Sequence, residues 1–386
     1  MNRAGLHQVA IVHNHWIHYK DLLFRAMAAA GVDFVVLYTG DGSARRAQAA
    51  TREPATYASL TLYRGAYEDA GGLGAAWRAW RALEQVRPAA LIISGWCDGA
   101  AWGAWLWGRV HRVPMILWAE SNVFDRPRHA GVEALKRFFV RPFRAAHVYG
   151  ASNREYLLRL GMPDARIFTK RAVLDTDLFR PPAAAAAKPE HRTLLFVGRL
   201  IREKNLETLL EAMSRVRQGA DRPRLVLRLV GYGPLEARLR ALAARLGVEP
   251  FVWFAGGASQ ADLPAVYAAA DALILPSVSE TWGLVVNEAM CCGLPVLISR
   301  RCGCAADLVT GETGWIFDPE DVSDLAWQLE EFAATPRERL AGMGAAARRV
   351  AVEYSPGHCA AIVARSIGAV LEGCGRQTTL PCAVAR

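Results

Sequence analysis

Glu280 and Glu288 stand eight positions apart in the stretch 276–295, which reads PSVSETWGLVVNEAMCCGLP. An apolar run over 272–275 reads as a strand leading in, and 284–292 reads as a helix leading out. Strand, Gly-containing turn and helix N-terminus form a place where phosphates and sugars bind in parallel α/β proteins. With the helix starting near Gly283, Glu280 lies in the loop before it and Glu288 more than one turn inside it. The loop-borne carboxylate can reach sugar hydroxyls. The helical one can accept from the two vicinal hydroxyls of a ribose. The amides of Trp282, Gly283, Leu284 and Val285 have no intrahelical acceptor and offer a seat for an anion.

Two cations lie upstream. Arg199 follows a strand-like run and Gly198, where backbone can approach a phosphate, and its planar fork matches two phosphate oxygens. Lys204 adds a point charge. Taken alone, both are ordinary surface cations after a strand.

These residues carry a family likeness. Glu280, seven residues and Glu288 resemble the E-x7-E motif of the retaining glycosyltransferases of family 4, which have the GT-B fold. VGRL at 197–200 with Lys204 and Asn205 is similar to that family's Gly-Arg…Lys segment, which grips the donor diphosphate. VLDTDLFRP at 173–181 resembles its interdomain linker. GYGP at 231–234 resembles its Gly-x-Gly-Pro turn beside the donor; Glu236 occupies the third glycine position of a dinucleotide fingerprint, so that motif fails. The likeness is strong over 172–320 and weak over the first 170 residues.

The resemblance implies a nucleoside-diphosphate sugar as donor, and transfer with retained anomeric configuration. It implies a glycan or lipid-linked acceptor, in cell-surface polysaccharide or glycolipid synthesis. Glu280, Arg199 and Lys204 would be catalytic. Gly198, Gly231, Gly233, Thr281, Trp282, Gly283, Leu284, Val285 and Glu288 would contact the donor. No obligatory cofactor and no metal is expected. Thr281-Trp282-Gly283 departs from the family's usual Gly-Phe-Gly, so the bulkier Trp282 is expected to reshape the sugar site. The family's N-terminal glycine pair is also missing; His13, Asn14, His15, Trp16 and His18 stand there instead. His13 and His15 are candidates for acceptor contact or proton handling, against the plainer reading of core or solvated histidines. Asp98 and Glu120 each follow a strand end and are candidates to orient the acceptor hydroxyl. The plainer readings are a helix N-cap for Asp98 and a buried contact for Glu120. Two other functions fit the same pattern: a non-catalytic nucleotide-sugar-binding protein, and a GT-B epimerase or phosphorylase. No segment marks the pyridoxal lysine a phosphorylase needs.

The elements that must position these groups read as α/β throughout. Apolar runs at 9–12, 34–38, 91–94 and 115–118 alternate with helical stretches at 19–30, 75–85 and 100–109; weaker runs follow at 147–149 and 167–169. A second alternation runs from 193 to 317, followed by helical stretches at 325–334, 337–351 and 355–371. The expected architecture is GT-B-like, with two Rossmann-like, doubly wound parallel-sheet domains facing a cleft. An acceptor-binding domain over 1–175 regains a crossover helix at 355–372. A linker spans 176–190, the donor domain 191–354, and a patternless tail 373–386. A chain of 386 residues suits two such domains.

Charge is uneven. Residues 1–180 hold 24 of the 46 Lys and Arg and 15 of the 37 Asp and Glu, so they account for the whole net charge of +9. Six cations fall within 126–144 (Arg126, Arg128, Lys136, Arg137, Arg141 and Arg144) against Glu133 alone, interleaved with Phe138, Phe139 and Phe143. This reads as a basic amphipathic segment able to rest on anionic lipid, or as a solvated helix with a core-facing Phe stripe. No recognition motif for nucleic acid accompanies the charge. The stretch 88–108 is long enough to span a bilayer, but Gly95 and Asp98 divide it into a buried strand and a helix. Eight scattered cysteines and a polar N-terminus without a signal-peptide pattern point to the cytoplasm, with peripheral contact at the inner face of the cell membrane.

Overall fold

The computed structural model describes residues 9–44, 54–124, 129–169, 172–181, 190–216 and 225–373. Most of the expected linker and the tail beyond Gly373 lie outside the described residues, as do Arg126 and Arg128 of the basic segment.

Strands β1 (Val9–His13), β2 (Phe34–Tyr38), β3 (Ala58–Thr61), β4 (Ala90–Ser94), β5 (Met115–Trp118), β6 (Ala145–Val148) and β7 (Ile167–Thr169) form one parallel sheet. Their order is β3-β2-β1-β4-β5-β6-β7. Strands β8 (Arg192–Val197), β9 (Leu225–Val230), β10 (Val252–Phe254), β11 (Ala272–Leu275), β12 (Val296–Ser299) and β13 (Gly314–Phe317) form a second, in the order β10-β9-β8-β11-β12-β13. Every strand pair is parallel, and the central strands are apolar and buried on both faces. This is the doubly wound arrangement the sequence suggests. The exception to legibility is β3, which has no apolar run: its residues are mostly exposed at the sheet edge, and pairing with β2 alone makes it a strand.

Helices Gly72–Val86, Gly99–Val110, Ala130–Val140 and Ala151–Arg159 cover one face of the first sheet. The other face is covered by His18–Ala29 and by the last helix, Pro356–Glu372. That last helix starts on a proline, whose missing N–H costs nothing in a first turn. Cys359, Val363, Ile367 and Leu371 then recur every four residues and are wholly buried in the first domain's core. Ser366 meets His147 of β6 on the same face. The chain therefore closes back on the domain it began with. The 88–108 stretch is β4 plus most of the helix Gly99–Val110, and no described helix is long and apolar enough to cross a membrane.

Strand order reverses between β1 and β4 in the first sheet and between β8 and β11 in the second. Such switch points open crevices at the C-terminal strand ends. The loops after β1, β4, β5, β8, β9 and β11 are where the residues singled out above are found.

Candidate active site

The second domain brings two turns into contact. After β8, the Gly198 N–H donates to the Val230 carbonyl at 3.0 Å, and the Leu200 N–H to Tyr232 at 3.0 Å. After β9, the Gly231 N–H donates to Gly256 at 2.7 Å. Gly198 and Gly231 have φ of +152° and +144°, and a Cβ on Gly231 would lie 1.8 Å from the Gly198 carbonyl oxygen. Only glycine fits there. Gly233 likewise passes against the backbone of Leu200. This strapping fixes the backbone from which Arg199 projects into the interdomain crevice.

Lys204 closes a short 3-10 turn and pairs with the Glu280 carboxylate. Both side chains are mostly buried. The Glu280 carbonyl accepts from Asn122 Nδ2 of the first domain at 2.9 Å and from the Gly303 N–H at 2.9 Å. Gly283, at φ +100°, turns the chain into the helix Leu284–Cys291. Among the described residues, no acceptor meets the N–H groups of Gly283, Leu284 and Val285. A lysine, a carboxylate and three open amides thus converge before one helix.

Glu288 lies on the fifth residue of that helix and lines a second crevice of about 330 Å³ with Leu284, Tyr19, Asp175 and Gln260. Tyr267 donates its hydroxyl to Glu288 Oε2 at 2.6 Å. Burial pushes the Glu288 carboxyl up to about 7, with the Tyr267 hydrogen bond opposing it.

The Trp282 indole is 3% exposed and lines neither crevice. It donates Nε1–H to Asn287 Oδ1 at 2.7 Å and packs on Tyr149 of the first domain and Tyr354, with ring centroids 5.9 and 6.0 Å away. A large ring in a tight turn takes the apolar seam between the domains rather than the wet crevice. Gly150 makes the room: a Cβ there would lie 2.5 Å from the indole. Thr281 contributes its carbonyl to the same turn, against which Gly303 packs.

On the first domain, a cavity of about 340 Å³ collects His13, His15, Trp96, Glu120 and, from across the cleft, Arg199. His13 is buried among Phe24, Tyr38 and Trp118, with its Nδ1 3.1 Å from the His15 carbonyl. His15 stacks on Tyr67 at 5.1 Å. Glu120 is partly open to the cavity and pairs with Lys20 at 2.7 Å. Asp98 is not in the lining. It caps the helix Gly99–Val110, accepting from the Ala101 N–H at 2.8 Å, and burial raises its carboxyl above the usual range. Asn122, Tyr149 and Lys20 are contributors that sequence reasoning did not single out. Lys20 and Tyr149 carry no motif, and an isolated Asn has no spacing signal.

Glu288 yields a pH signature. Its proton is held more tightly in the folded chain than in the unfolded one, where the ordinary value of 4.5 applies. Between those values the unfolded state holds fewer protons, so stability falls as pH rises toward about 7. Glu288→Gln keeps an acceptor for Tyr267 and removes the charge. It is expected to raise unfolding free energy at pH 8 by on the order of 1 kcal/mol or more, and to match the parent near pH 4. Denaturant melts at the two pH values check this; an equal effect at both contradicts the buried carboxylate.

Comparison with known proteins places this geometry. A family model described as glycosyl transferases group 1 matches residues 182–350, and one described as a glycosyl transferase 4-like domain matches 18–172. A D-inositol 3-phosphate glycosyltransferase of Catenulispora acidiphila is 31% identical over 65% of this chain and 62% of its own length. A GDP-mannose-dependent alpha-(1-6)-phosphatidylinositol monomannoside mannosyltransferase of Mycolicibacterium smegmatis is 32% identical over 47% of this chain and 50% of its own. The chain thus spans half to less than two thirds of the length of these relatives. Among solved structures, Anabaena HepE in complex with UDP-glucose shares the fold at TM-score 0.71 and 15% identity, over 95% of this chain and 100% of that one. The two family models between them take in both halves of the chain, which belongs to the family-4 glycosyltransferases of GT-B fold.

Proposed function

We propose that the chain transfers a sugar, with retention, from a nucleoside diphosphate to a hydroxyl of a glycan or lipid-linked acceptor. The observation that carries this reading is the convergence of Lys204, Glu280 and the open amides of 283–285 ahead of the helix that holds Glu288. A departing diphosphate gains negative charge, and fixed cations and oriented N–H groups stabilise it as it leaves. Arg199, Lys204 and those amides meet that need. Glu280 holds the sugar hydroxyls and Glu288 the ribose. No metal is needed where two side-chain cations and a helix N-terminus share the charge. Gly198, Gly231 and Gly233 let backbone close on the phosphates. The relatives' names support a nucleotide-sugar donor: one uses GDP-mannose, and one neighbour was solved with UDP-glucose. The same names include an inositol phosphate and a phosphatidylinositol mannoside acceptor, in line with a role in glycolipid or cell-surface glycan synthesis.

In this reading the first domain rests on the inner face of the cell membrane. The helix Ala130–Val140 turns Val132, Leu135 and Phe138 outward, each about half exposed. At its end Arg137 and Arg141, with Arg166, ring a recess of about 380 Å³ lined by Val140, Phe143, Leu160 and Met162. The Phe stripe is split: Phe139 and Phe143 are core, and Phe138 alone faces out. Apolar side chains beside guanidinium groups that meet no carboxylate among the described residues suit an anionic bilayer surface.

Two measurements test these readings. A matching nucleotide sugar at 100 times its dissociation constant is expected to add roughly 2.7 kcal/mol to stability, and the product anomer, read by NMR, is expected to match the donor. Binding without turnover across an acceptor panel contradicts a transferase and favours a sensor, and binding to no nucleotide sugar contradicts both. Flotation with phosphatidylglycerol vesicles is expected to recover the protein at low salt. Phosphatidylcholine vesicles, and the Arg137→Glu/Arg141→Glu variant, are expected to fail. Equal binding to both lipids would sink the electrostatic docking.

A further inference from the structure

Lys20, in the helix His18–Ala29, has 2% of its surface exposed, and the transfer chemistry above makes no use of it. Its ammonium donates to the Tyr149 hydroxyl at 2.7 Å and pairs with Glu120 Oε1 at 2.7 Å. It also lies 4.0 Å from the centre of the Trp118 ring, a cation–π contact. The Tyr149 hydroxyl in turn donates to the same Glu120 oxygen. Removing an ammonium from water is costly unless partners replace its hydration. Here the partners are one carboxylate, one hydroxyl and the rings of Trp118, Tyr149 and Tyr19, and the carboxylate reaches the cavity. Glu120 follows β5 by two residues, its side chain 40% exposed on the cavity wall.

The rest of that wall suits a carbohydrate. Trp96 and Tyr67 supply ring surface for the apolar face of a sugar, and Ser121 supplies a hydroxyl. Arg199 reaches the cavity from the donor domain, so whatever fills it lies next to the departing phosphate. Tyr149 also packs on Trp282, two residues past Glu280. One tyrosine therefore touches both the carboxylate of the acceptor cavity and the turn of the donor site.

We propose that Lys20 and Tyr149 are positioning residues that hold Glu120 as the hydrogen-bond acceptor for the incoming hydroxyl of a carbohydrate seated in this cavity. The inference rests on the glycosyltransferase reading and deepens it. In the step, the acceptor oxygen bonds to the anomeric carbon. The bond from that carbon to the phosphate oxygen breaks, and its electron pair leaves with the nucleoside diphosphate. The hydroxyl proton passes to that departing phosphate oxygen. Glu120 takes no proton; it aims the hydroxyl. Tyr149 remains a donor throughout, because burial and the Glu120 charge push its hydroxyl well above its ordinary value.

The test uses the full chain, UDP-glucose and GDP-mannose as donor probes, and octyl glucoside and D-inositol 3-phosphate as acceptor probes. Lys20→Met is expected to raise the acceptor KM at least about tenfold, with the donor KM unchanged. Glu120→Gln moves the acceptor KM the same way, and Lys20→Arg recovers most of the loss. Tyr149→Phe, which deletes a single oxygen, carries the test if Lys20→Met does not fold, and is expected to raise the acceptor KM alone. A folded Lys20→Met protein with an unchanged acceptor KM, or with both KM values raised together, overturns the positioning role alone. Parent protein that turns over neither donor overturns the glycosyltransferase reading on which it rests.

Discussion

The ion pair between Lys204 and Glu280 is the contact on which the cleft depends. The two residues come from turns after β8 and β11, which are hydrogen-bonded neighbours at the switch point of the second sheet. Strand pairing across 76 positions of sequence therefore does the work of bringing them together. Both are mostly withdrawn from water, and either charge left alone there would be heavily penalised. Among the described residues, Glu280 is the carboxylate that neutralises Lys204. In the proposed function, an incoming diphosphate would offer Lys204 a stronger anion, and the sugar would offer Glu280 hydroxyls in exchange. The donor would be recognised by trading one pairing for two.

The first domain does not simply sit opposite this pair. Asn122 donates to the Glu280 carbonyl, the Ala151 N–H to Asp307 at 3.0 Å, and the Ser152 hydroxyl to the Gly303 carbonyl at 3.1 Å. Trp282 fills the gap between Tyr149 and Tyr354, and Gly150 and Gly303 make room for it and for its turn. The donor turn is thus held from both domains.

Much of this was legible in the sequence. Apolar runs marked twelve of the strands, most of them buried on both faces, and the β3 edge strand stayed silent because exposed residues carry no such pattern. Glu280, Glu288, Arg199 and Lys204 stand out in the sequence because turn, helix start and charge are local signals with fixed spacing; the structure pairs Lys204 with Glu280 and sets Glu288 in a separate crevice. Spacing gives Trp282 its position along the chain and not which side of the turn its ring takes; the ring packs between Tyr149 and Tyr354. Asp98 illustrates the same limit: a carboxylate after a strand end caps the helix that follows as readily as it faces a cleft. Lys20, Tyr149 and Asn122 were invisible, since their roles arise from contacts between segments far apart in the chain.

The account turns on Lys204 exchanging a carboxylate for a diphosphate. Calorimetric titration with UDP and GDP of the parent, Glu280→Gln and Lys204→Met tests it directly. Glu280→Gln is predicted to bind the preferred nucleotide at least as tightly as the parent, its lysine having been released, while Lys204→Met binds at least about tenfold more weakly. Equal weakening in both variants would show that the pair acts as a structural clamp, and would contradict the exchange.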